Sequence, residues 1–334
     1  MSDAIWISGD KDPIGGVRIV SEGARAIVFE RDGKRVSVPT SRVRGLRHGD
    51  TPGELDHALV RMEKGDFPAA ERLLTPLAEA EGWVRAHAGF HLANARRLRA
   101  ELEDKGHEEA QALIDRWRAR EGEHFFAPFM VTIAAEAALA AGEHDRARIE
   151  FARLAGYGEH LALPSRLGVV RAKLAADPAA DPTALLEQLD EIEVEAAERR
   201  DFDTTILSRL ERAKALGRSG AAKDGLDLLL PLLDGPALVR SPWHCAVLNT
   251  IAVVIADLAG LQPDGSARPE ARVAAAYYIN RALRYGTTQP LERAHTLALA
   301  VEANTLSERP EIAVMAKSEL GRRFSTSKYY ARLG

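Results

Sequence analysis

The sequence has one cysteine, few aromatic residues and no long apolar run. Because Cys245 is the only cysteine in 334 residues, neither an intrachain disulfide nor a cysteine-based zinc finger can form. Aromatic residues make up 6% of the chain, and no apolar run reaches the roughly 18 residues that a membrane helix requires. The opening MSDAIWISGDKD contains acids and lacks the apolar segment of a signal or transit peptide. These features predict a cytoplasmic protein that does not enter a membrane.

Neither sign of charge is in large excess. The chain has 45 Lys and Arg residues against 49 Asp and Glu residues, which gives a net charge of -4 at pH 7. This balance argues against nucleic acid as the principal partner, since such proteins carry a strongly basic surface. Hydrophobic residues make up 46% of the sequence, as is typical of folded proteins. The length suits two ordinary domains or one elongated repeat array.

The motifs of several common enzyme classes are absent. The sequence lacks a phosphate-binding loop, a Gly-rich dinucleotide turn, a His-Glu-x-x-His zinc motif and a Gly-x-Ser-x-Gly nucleophile elbow. His87 and His91 lie four residues apart on a predicted helix, but two imidazoles alone bind a metal weakly. His244 and Cys245 are neighbours in sequence, whereas catalytic pairs meet in space. We therefore predict no enzymatic activity, cofactor or metal, and a buried Cys245 that packs as a small apolar side chain.

The first fifty residues have the pattern of a small β module. The segments VRIV, AIVFE and RVSV are short, rich in β-branched residues and separated by turn residues. Asp32 and Gly33 lie between two of them, and Asp-Gly is favoured in tight hairpin turns. Residues 1–50 are therefore predicted to form an antiparallel meander of three to five strands. A sheet this small has little core of its own, so we expect it to pack against the chain that follows.

A repeat begins after residue 50, where the composition changes to Ala, Leu, Glu and Arg at helical spacing. Gly65, Gly142 and Gly220 are separated by 77 and 78 residues. Around each glycine the same offsets carry the same kind of residue. These are an alanine seven residues before it (Ala58, Ala135, Ala213), a small residue five after it (Ala70, Ala147, Gly225) and a large apolar residue nine after it (Leu74, Phe151, Leu229).

This pattern predicts antiparallel helix pairs joined by short turns. A glycine in the left-handed conformation ends the first helix, and small residues let the two helix axes approach closely. A spacing near 77 residues fits two pairs, and the segment around Gly106 and the proline-containing turn at Pro178 supply the intermediate copies. We predict about seven hairpins over residues 51–325, the last two degenerate, followed by a basic and aromatic tail at residues 326–334.

The segments KGDFPAAERLL and AGEHDRARIEF are similar to tetratricopeptide (TPR) repeats. LNTIAVVIADLAG resembles a first helix of that family, although the aromatic position of the third unit holds His144 and the usual first-helix tryptophan is missing. The predicted fold class is mainly α: a TPR-like, right-handed helical-hairpin solenoid after a small antiparallel β meander. The resemblance implies a concave groove that binds a peptide or protein segment, and it implies no cofactor.

Candidate binding residues follow from this resemblance and from residue chemistry. Polar residues on the predicted first helices should line the groove, and Asn94, Arg97 and Asn249 carry groups that can satisfy the backbone of an extended ligand. The C-terminal segment RRFSTSKYYARLG combines arginines with aromatic residues, the types enriched at binding hot spots. Its candidates are Arg322, Arg323, Tyr329 and Tyr330. The alternative is that this segment caps the last helix pair.

The predicted function is a non-enzymatic scaffold or adaptor for a protein or peptide partner. Self-association is part of this hypothesis, because the open edge of a small sheet can pair with a second copy. The alternative is a nucleic-acid-associated or regulatory protein that uses a basic β module. Two clusters suggest it, namely Arg42, Arg44, Arg47 and His48, and Arg96, Arg97 and Arg99. Nearby acids such as Asp50, Glu101 and Glu103 neutralise much of each cluster.

Overall fold

The computed structural model describes residues 2–7, 12–239, 241–258, 269–287, 289–306 and 309–333. Within these residues the predicted mainly α class is confirmed: a small antiparallel sheet is followed by packed helix pairs. None of the described helices combines the length and the apolar character needed to cross a membrane.

Five strands form the N-terminal sheet. They are β1 (Asp3–Ile7), β2 (Ile14–Glu22), β3 (Ala26–Arg31), β4 (Lys34–Pro39) and β5 (Val43–Arg47). All neighbours are antiparallel, in the order β4-β3-β2-β1-β5, so β4 and β5 are the edge strands. Asp32 and Gly33 have φ values of 51° and 72°, as the tight turn between β3 and β4 requires.

One face of the sheet forms a small apolar core. Alternate residues of the strands point into it, as the period of two in a strand dictates. The core residues from the sheet are Ile5, Ile7, Val17, Ile27, Phe29, Val38 and Val43. Phe125, which lies far along the chain before the fifth helix, completes this core and is 3% exposed. The sheet therefore packs against the turn that precedes the helix beginning at Ala127, because it cannot bury its apolar face by itself.

The rest of the described chain is helical. In chain order the α-helices are α1 (Gly53–Glu63), α2 (Phe67–Leu77), α3 (Trp83–Glu103), α4 (His107–Glu121), α5 (Ala127–Ala140), α6 (His144–Arg153), α7 (Ala162–Ala176), α8 (Thr183–Glu198), α9 (Phe202–Arg218), α10 (Ala222–Leu229), α11 (Pro236–Val239), α12 (His244–Leu258), α13 (Pro269–Tyr285), α14 (Pro290–Leu306), α15 (Pro310–Phe324) and α16 (Lys328–Ala331). Neighbouring helices pack against each other in pairs such as α5 with α6, α9 with α10, α12 with α13 and α14 with α15.

The repeat positions have the structural roles that the sequence pattern predicts. Gly65, Gly142 and Gly220 lie in turns between helices with φ values of 77°, 76° and 86°, a conformation that disfavours other residues. All the small and large positions around them are buried. They are Ala58, Ala70, Leu74, Ala135, Ala147, Phe151, Ala213, Gly225 and Leu229.

Helices α9 and α10 approach each other closely at Gly225. A Cβ atom added at Gly225 would lie 2.9 Å from the carbonyl oxygen of Ala213 and 3.4 Å from a Val254 methyl carbon. The backbone of α9 cannot retreat without disturbing the core that α9, α10 and α12 share. Glycine at position 225 is therefore a packing requirement.

We predict that Gly225→Ala destabilises the protein by about 1–3 kcal/mol, because the added methyl group collides with backbone atoms. Urea unfolding followed by circular dichroism measures this change. Gly156→Ala is the matched control, since nothing lies within 4 Å of a Cβ atom at that position. Equal stabilities of the two variants would contradict the close helix approach.

The chain divides into two compact units. The first comprises Met1–Met62, Asp66–Glu101 and Lys105–Ser165, and the second comprises Glu63–Gly65, Leu102–Asp104 and Arg166–Gly334. The first unit contains the sheet and a helical core that includes Phe90, Trp117 and Met130. The core of the second unit includes Ile206, Leu229 and Ile251. This division by compactness differs from the division by composition into residues 1–50, 51–325 and 326–334, which stays a prediction.

Candidate interaction surface

Helix α13 of the second unit exposes a stripe of large side chains. Val273, Tyr277, Arg281 and Arg284 follow one another at three- and four-residue intervals, so they share one face of the helix. Val273 is 60% exposed and Tyr277 is 59% exposed. The opposite face carries Ile279 and other buried residues. This side-chain pattern is unusual for a surface helix, where the outward face is normally polar.

These side chains border a groove of about 430 Å³, which we call the α13 groove. Its lining residues are Val273, Ala276, Tyr277, Asn280, Arg281, Arg284 and Arg309. Ala276 is 4% exposed and lies within the helix packing, whereas Val273 and Tyr277 stand out from the surface. The groove therefore combines exposed apolar and aromatic surface with three guanidinium groups.

The arginines of the α13 groove have no acidic partner among the described residues. No described carboxylate lies within 4.0 Å of Arg281, Arg284 or Arg309, and no acidic residue is among the described lining residues. The guanidinium carbon of Arg281 lies 5.8 Å from the centre of the Tyr277 ring, within the range of a cation–π contact. The groove thus presents a cluster of positive charge that its own lining does not neutralise.

A pair of amides holds the base of the groove. Asn280 Nδ2 donates to Asn304 Oδ1 at 3.1 Å, and Asn304 Nδ2 donates to Asn280 Oδ1 at 3.0 Å. Asn304 is fully buried and also donates to the Ala300 carbonyl at 2.8 Å. Because a broken amide pair would leave buried polar groups unsatisfied, this contact fixes α13 against α14.

The predicted polar residues on the first helices make internal contacts. Asn249 is 2% exposed, and its Nδ2 donates to Glu292 and, at 2.8 Å, to Thr296 Oγ1. Its amide therefore joins α12 to α14 inside the second unit. On α3, Arg97 donates to Asn94 Oδ1 from Nε and Nη2 at 3.3 and 3.2 Å. Partner binding by these residues stays a prediction.

The predicted residues of the C-terminal segment lie on and after α15. Arg322 is exposed, whereas Arg323 pairs with Glu319 at 3.2 Å. The Tyr329 ring stacks near His295 with ring centres 5.5 Å apart.

Tyr330 packs tightly against α15. A Cβ atom at Gly321 would lie 2.9 Å from the Tyr330 ring. Ser327 is fully buried and accepts a hydrogen bond from the Tyr330 N–H at 3.1 Å, which caps α16. Helix α16 packs on α14 and α15, the arrangement that capping of the last helix pair requires. Partner binding by this segment also stays a prediction.

Some residues of each basic cluster contact acids. His48 is buried and its Nε2 lies 2.6 Å from Glu22 Oε1. On α3, Arg96 pairs with the buried Glu71 at 2.7 Å, and Arg99 lies 3.6 Å from the same carboxylate. These contacts reduce the positive charge that each cluster presents to a phosphate backbone.

The α13 groove is absent from the sequence-based candidates, although its helix is predicted. This segment lies within the predicted repeat array, whereas the sequence-based candidates on the repeats lie on predicted first helices. The available signal is the spacing of Val273, Tyr277, Arg281 and Arg284 on one face. That spacing alone does not distinguish an exposed stripe from a buried one, because apolar residues also occupy the neighbouring face of α13.

Comparisons with known proteins give only distant likenesses. No protein family description and no curated protein matches the chain. Among solved structures, the chain is similar to NprR in complex with its cognate peptide NprX, with a TM-score of 0.42, 11% identity and coverage of 86% of this chain and 83% of that chain. It is also similar to the TPR domain of P58(IPK), with a TM-score of 0.28, 13% identity and coverage of 84% and 76%. Any functional interpretation of this chain rests on its own contacts.

Cys245 is buried and bonded within the helix packing. It is 3% exposed, and its Sγ donates to the Gly286 carbonyl at 2.7 Å. Burial raises the pKa of the Cys245 thiol to about 11, and the nearby Glu292 carboxylate adds to this shift. The neighbouring His244 ring packs on Tyr285, with ring centres 4.2 Å apart. The thiol therefore packs as a small apolar group, as predicted from the sequence.

We predict that Cys245 reacts slowly with iodoacetamide in the native protein at pH 8. A pKa near 11 lowers the thiolate fraction by about 100-fold relative to a free cysteine, and burial slows access further. Mass spectrometry of native and urea-unfolded protein measures the ratio of the alkylation rates. Similar rates in both states would show that the thiol is accessible and ionised.

Proposed function

We propose that this protein is a non-enzymatic interaction scaffold and that its α13 groove binds an acidic segment of a partner protein that also carries an apolar side chain. The observation behind this proposal is the group of three arginines without described acidic partners, placed around exposed Tyr277 and Val273. Charge complementarity selects the acidic residues of the partner. The apolar residue of the partner covers Val273 and Tyr277.

The energetics of such a contact favour this site over ordinary surface. Arginine and tyrosine are the residues most enriched at binding hot spots, because each combines a broad contact area with directed polar groups. A guanidinium group can also bind a carboxylate through two parallel hydrogen bonds. The amide pair of Asn280 and Asn304 restrains α13, which lowers the entropy cost of binding.

An acidic protein segment fits the chain better than a nucleic acid does. A nucleic acid is a polyanion, and the net charge of -4 does not attract one over a long range. The groove also offers exposed aliphatic surface at Val273, which a partner with both charge and an apolar side chain covers. We infer a cytoplasmic location for this function, since the single buried Cys245 needs no oxidising compartment.

We predict that Arg281→Glu/Arg284→Glu weakens binding of acidic, apolar-containing peptides by at least about tenfold, because two attractive charges become repulsive. Full-length protein is titrated with fluorescent peptides in which Asp and Glu flank a Leu or Phe, and with matched basic peptides. Tyr277→Ala removes the apolar contact and should weaken binding without changing its salt dependence. Both variants should melt within a few degrees of the native protein, since Tyr277 and Arg284 are exposed and Arg281 is only half-buried.

The control variant is Arg72→Glu/Lys223→Glu, which changes net charge equally at two exposed positions outside the groove. An equal loss of binding in this control would reduce the effect to net charge and contradict the proposal. Preference for single-stranded RNA over the peptides would also contradict it. Light scattering tests self-association: a dimer that the groove variant dissociates would identify a second copy as the occupant and overturn the acidic-partner proposal.

A further inference from the structure

Three histidines surround one buried glutamate in the first unit. Glu22 ends strand β2, His48 follows β5, His87 lies on α3, and His124 lies between α4 and α5. Their side chains are 6%, 7%, 7% and 11% exposed in that order. We call these four residues the histidine cluster. It joins the sheet to α3 and to the segment between α4 and α5.

All three imidazoles face the same carboxylate. His48 Nε2 lies 2.6 Å from Glu22 Oε1, and His87 Nε2 lies 2.7 Å from Oε2. His124 Nε2 lies 3.3 Å from Oε2. A buried carboxylate requires donors to replace water, and three ring N–H groups can supply them.

The backbone determines where the proton of His124 resides. His124 Nδ1 accepts a hydrogen bond from the Phe126 N–H at 3.2 Å, so Nδ1 carries no proton. The proton of the neutral ring is therefore on Nε2, directed at Glu22. The cluster is a set of histidine donors around an ionised carboxylate.

This tautomer argues against a metal at the same atoms. Glu22, His87 and His124 offer ligand atoms that lie within 4.8 Å of one another, close enough to share an ion. A metal on His124 Nε2 would require a proton on Nδ1, and metal-bound histidines donate that proton to an acceptor. Here Nδ1 faces the Phe126 N–H, which is itself a donor.

Burial and charge favour a neutral His87 beside an ionised Glu22. Burial alone would raise the pKa of Glu22, but hydrogen bonds from His124, His48 and His87 outweigh it and hold that pKa far below its usual range. Burial lowers the pKa of His87, and the nearby His124 and His48 lower it further, against the opposing effect of Glu22. The ring centre of His87 lies 5.4 Å from that of His48 and 5.5 Å from that of His124. Two charged imidazoles at these distances would repel each other strongly in a buried site.

The other groups around the cluster do not remove the preference for a neutral His87. Trp83 stacks on the His48 ring at 3.8 Å and shields it from water. His48 Nδ1 lies 4.0 Å from Asp3 Oδ1, a carboxylate that accepts the Gly49 N–H.

A cavity adjoins the cluster, and its charged residues are mostly paired. Arg18 pairs with Glu30 at 2.5 Å, and Arg85 pairs with Glu121 at 2.8 Å. Asp50 also lines this cavity and is exposed. His91, one helical turn after His87, has its pKa lowered to about 4 by burial and by His87, and packs on Phe90.

The cluster lies where the end of β2 forms backbone hydrogen bonds with the segment between α4 and α5. The Phe125 N–H donates to the Glu22 carbonyl at 2.9 Å, and the Ala24 N–H donates to the Glu123 carbonyl at 2.7 Å. Phe125 also completes the core of the sheet. Separation of Glu22 from His124 would therefore loosen both backbone bonds.

We propose that the histidine cluster is a proton-operated latch, which at neutral pH holds the end of β2 to α3 and to the segment before α5 and opens in mildly acidic solution. The closed latch disfavours a proton on His87, because burial lowers the pKa of that ring, whereas a released histidine binds a proton near pH 6.5. Because the closed state binds fewer protons than the open one, closure is favoured above pH 6.5 and weakens as the pH falls below it. His87 thereby makes opening up to about tenfold more favourable between pH 7.5 and 5.5.

Amide hydrogen exchange tests this proposal in the full-length protein. The protection factors of the Ala24 and Phe125 amides should fall by up to about tenfold between pH 7.5 and 5.5, while that of Ile251 in the second unit does not change. In His48→Gln/His87→Gln/His124→Gln the loss should disappear, because glutamine donates a hydrogen bond to Glu22 but does not bind a proton. His91→Gln is the matched control, and it should retain the loss because His91 does not contact Glu22.

Three results would overturn the latch. They are an unchanged protection of Ala24 and Phe125 at pH 5.5, the same loss in the triple variant, or loss of the response in His91→Gln alone. If the triple variant does not fold, nitrogen-15 NMR of the native histidines decides the question, since a proton on His124 Nδ1 at pH 7.5 contradicts the proposed state. A melting temperature that rises by several degrees with equimolar Zn²⁺ would identify a metal site instead.

Discussion

Close approach of paired helices at small residues is the constraint on which the helical part of this protein depends. Ala58, Ala135 and Ala213 are fully buried, and Gly225 meets the backbone of α9 directly. Each pair is too thin to exclude water from both of its faces, so its larger residues pack on neighbouring helices. Stability is therefore spread over many similar contacts, which leaves outward-facing positions free to vary in chemistry.

The α13 groove uses one of those outward faces. Helix α13 is held from behind by Ile279 and by the amide pair of Asn280 and Asn304, so its exposed stripe does not need to contribute to stability. Exposure of the apolar surface of Tyr277 and Val273 to water is unfavourable, and a partner that covers these side chains would remove that exposure. The surrounding arginines make binding selective, because they repel basic partners. In the proposed interaction, helix packing holds the exposed side chains of α13 in place, and the charges of the arginines select the partner.

The histidine cluster applies different physics to the first unit. Glu22 is buried, and its charge is tolerated because imidazole donors replace the water it has lost. The arrangement links elements that lie far apart in sequence, from β2 to the segment before α5. In the proposed latch, the contact between Glu22 and the histidines holds while His87 is neutral and weakens when His87 binds a proton. The apolar core around Phe29 and Phe125 contains no group that titrates. The sheet therefore has an apolar contact that is independent of pH and, in the proposed latch, a polar contact that depends on pH.

The sequence by itself determined the local structure of this protein: the strands around the Asp32-Gly33 turn, the helices, and the glycines that end them. These features depend on backbone conformation and on residue periodicity, which are encoded within a few positions. Only the tertiary structure decided which polar residues are available. It buried Asn249 against α14, turned His48 inward to Glu22, and left Tyr277 exposed. Burial depends on residues distant along the chain, and the spacing within one helix cannot report what packs against it.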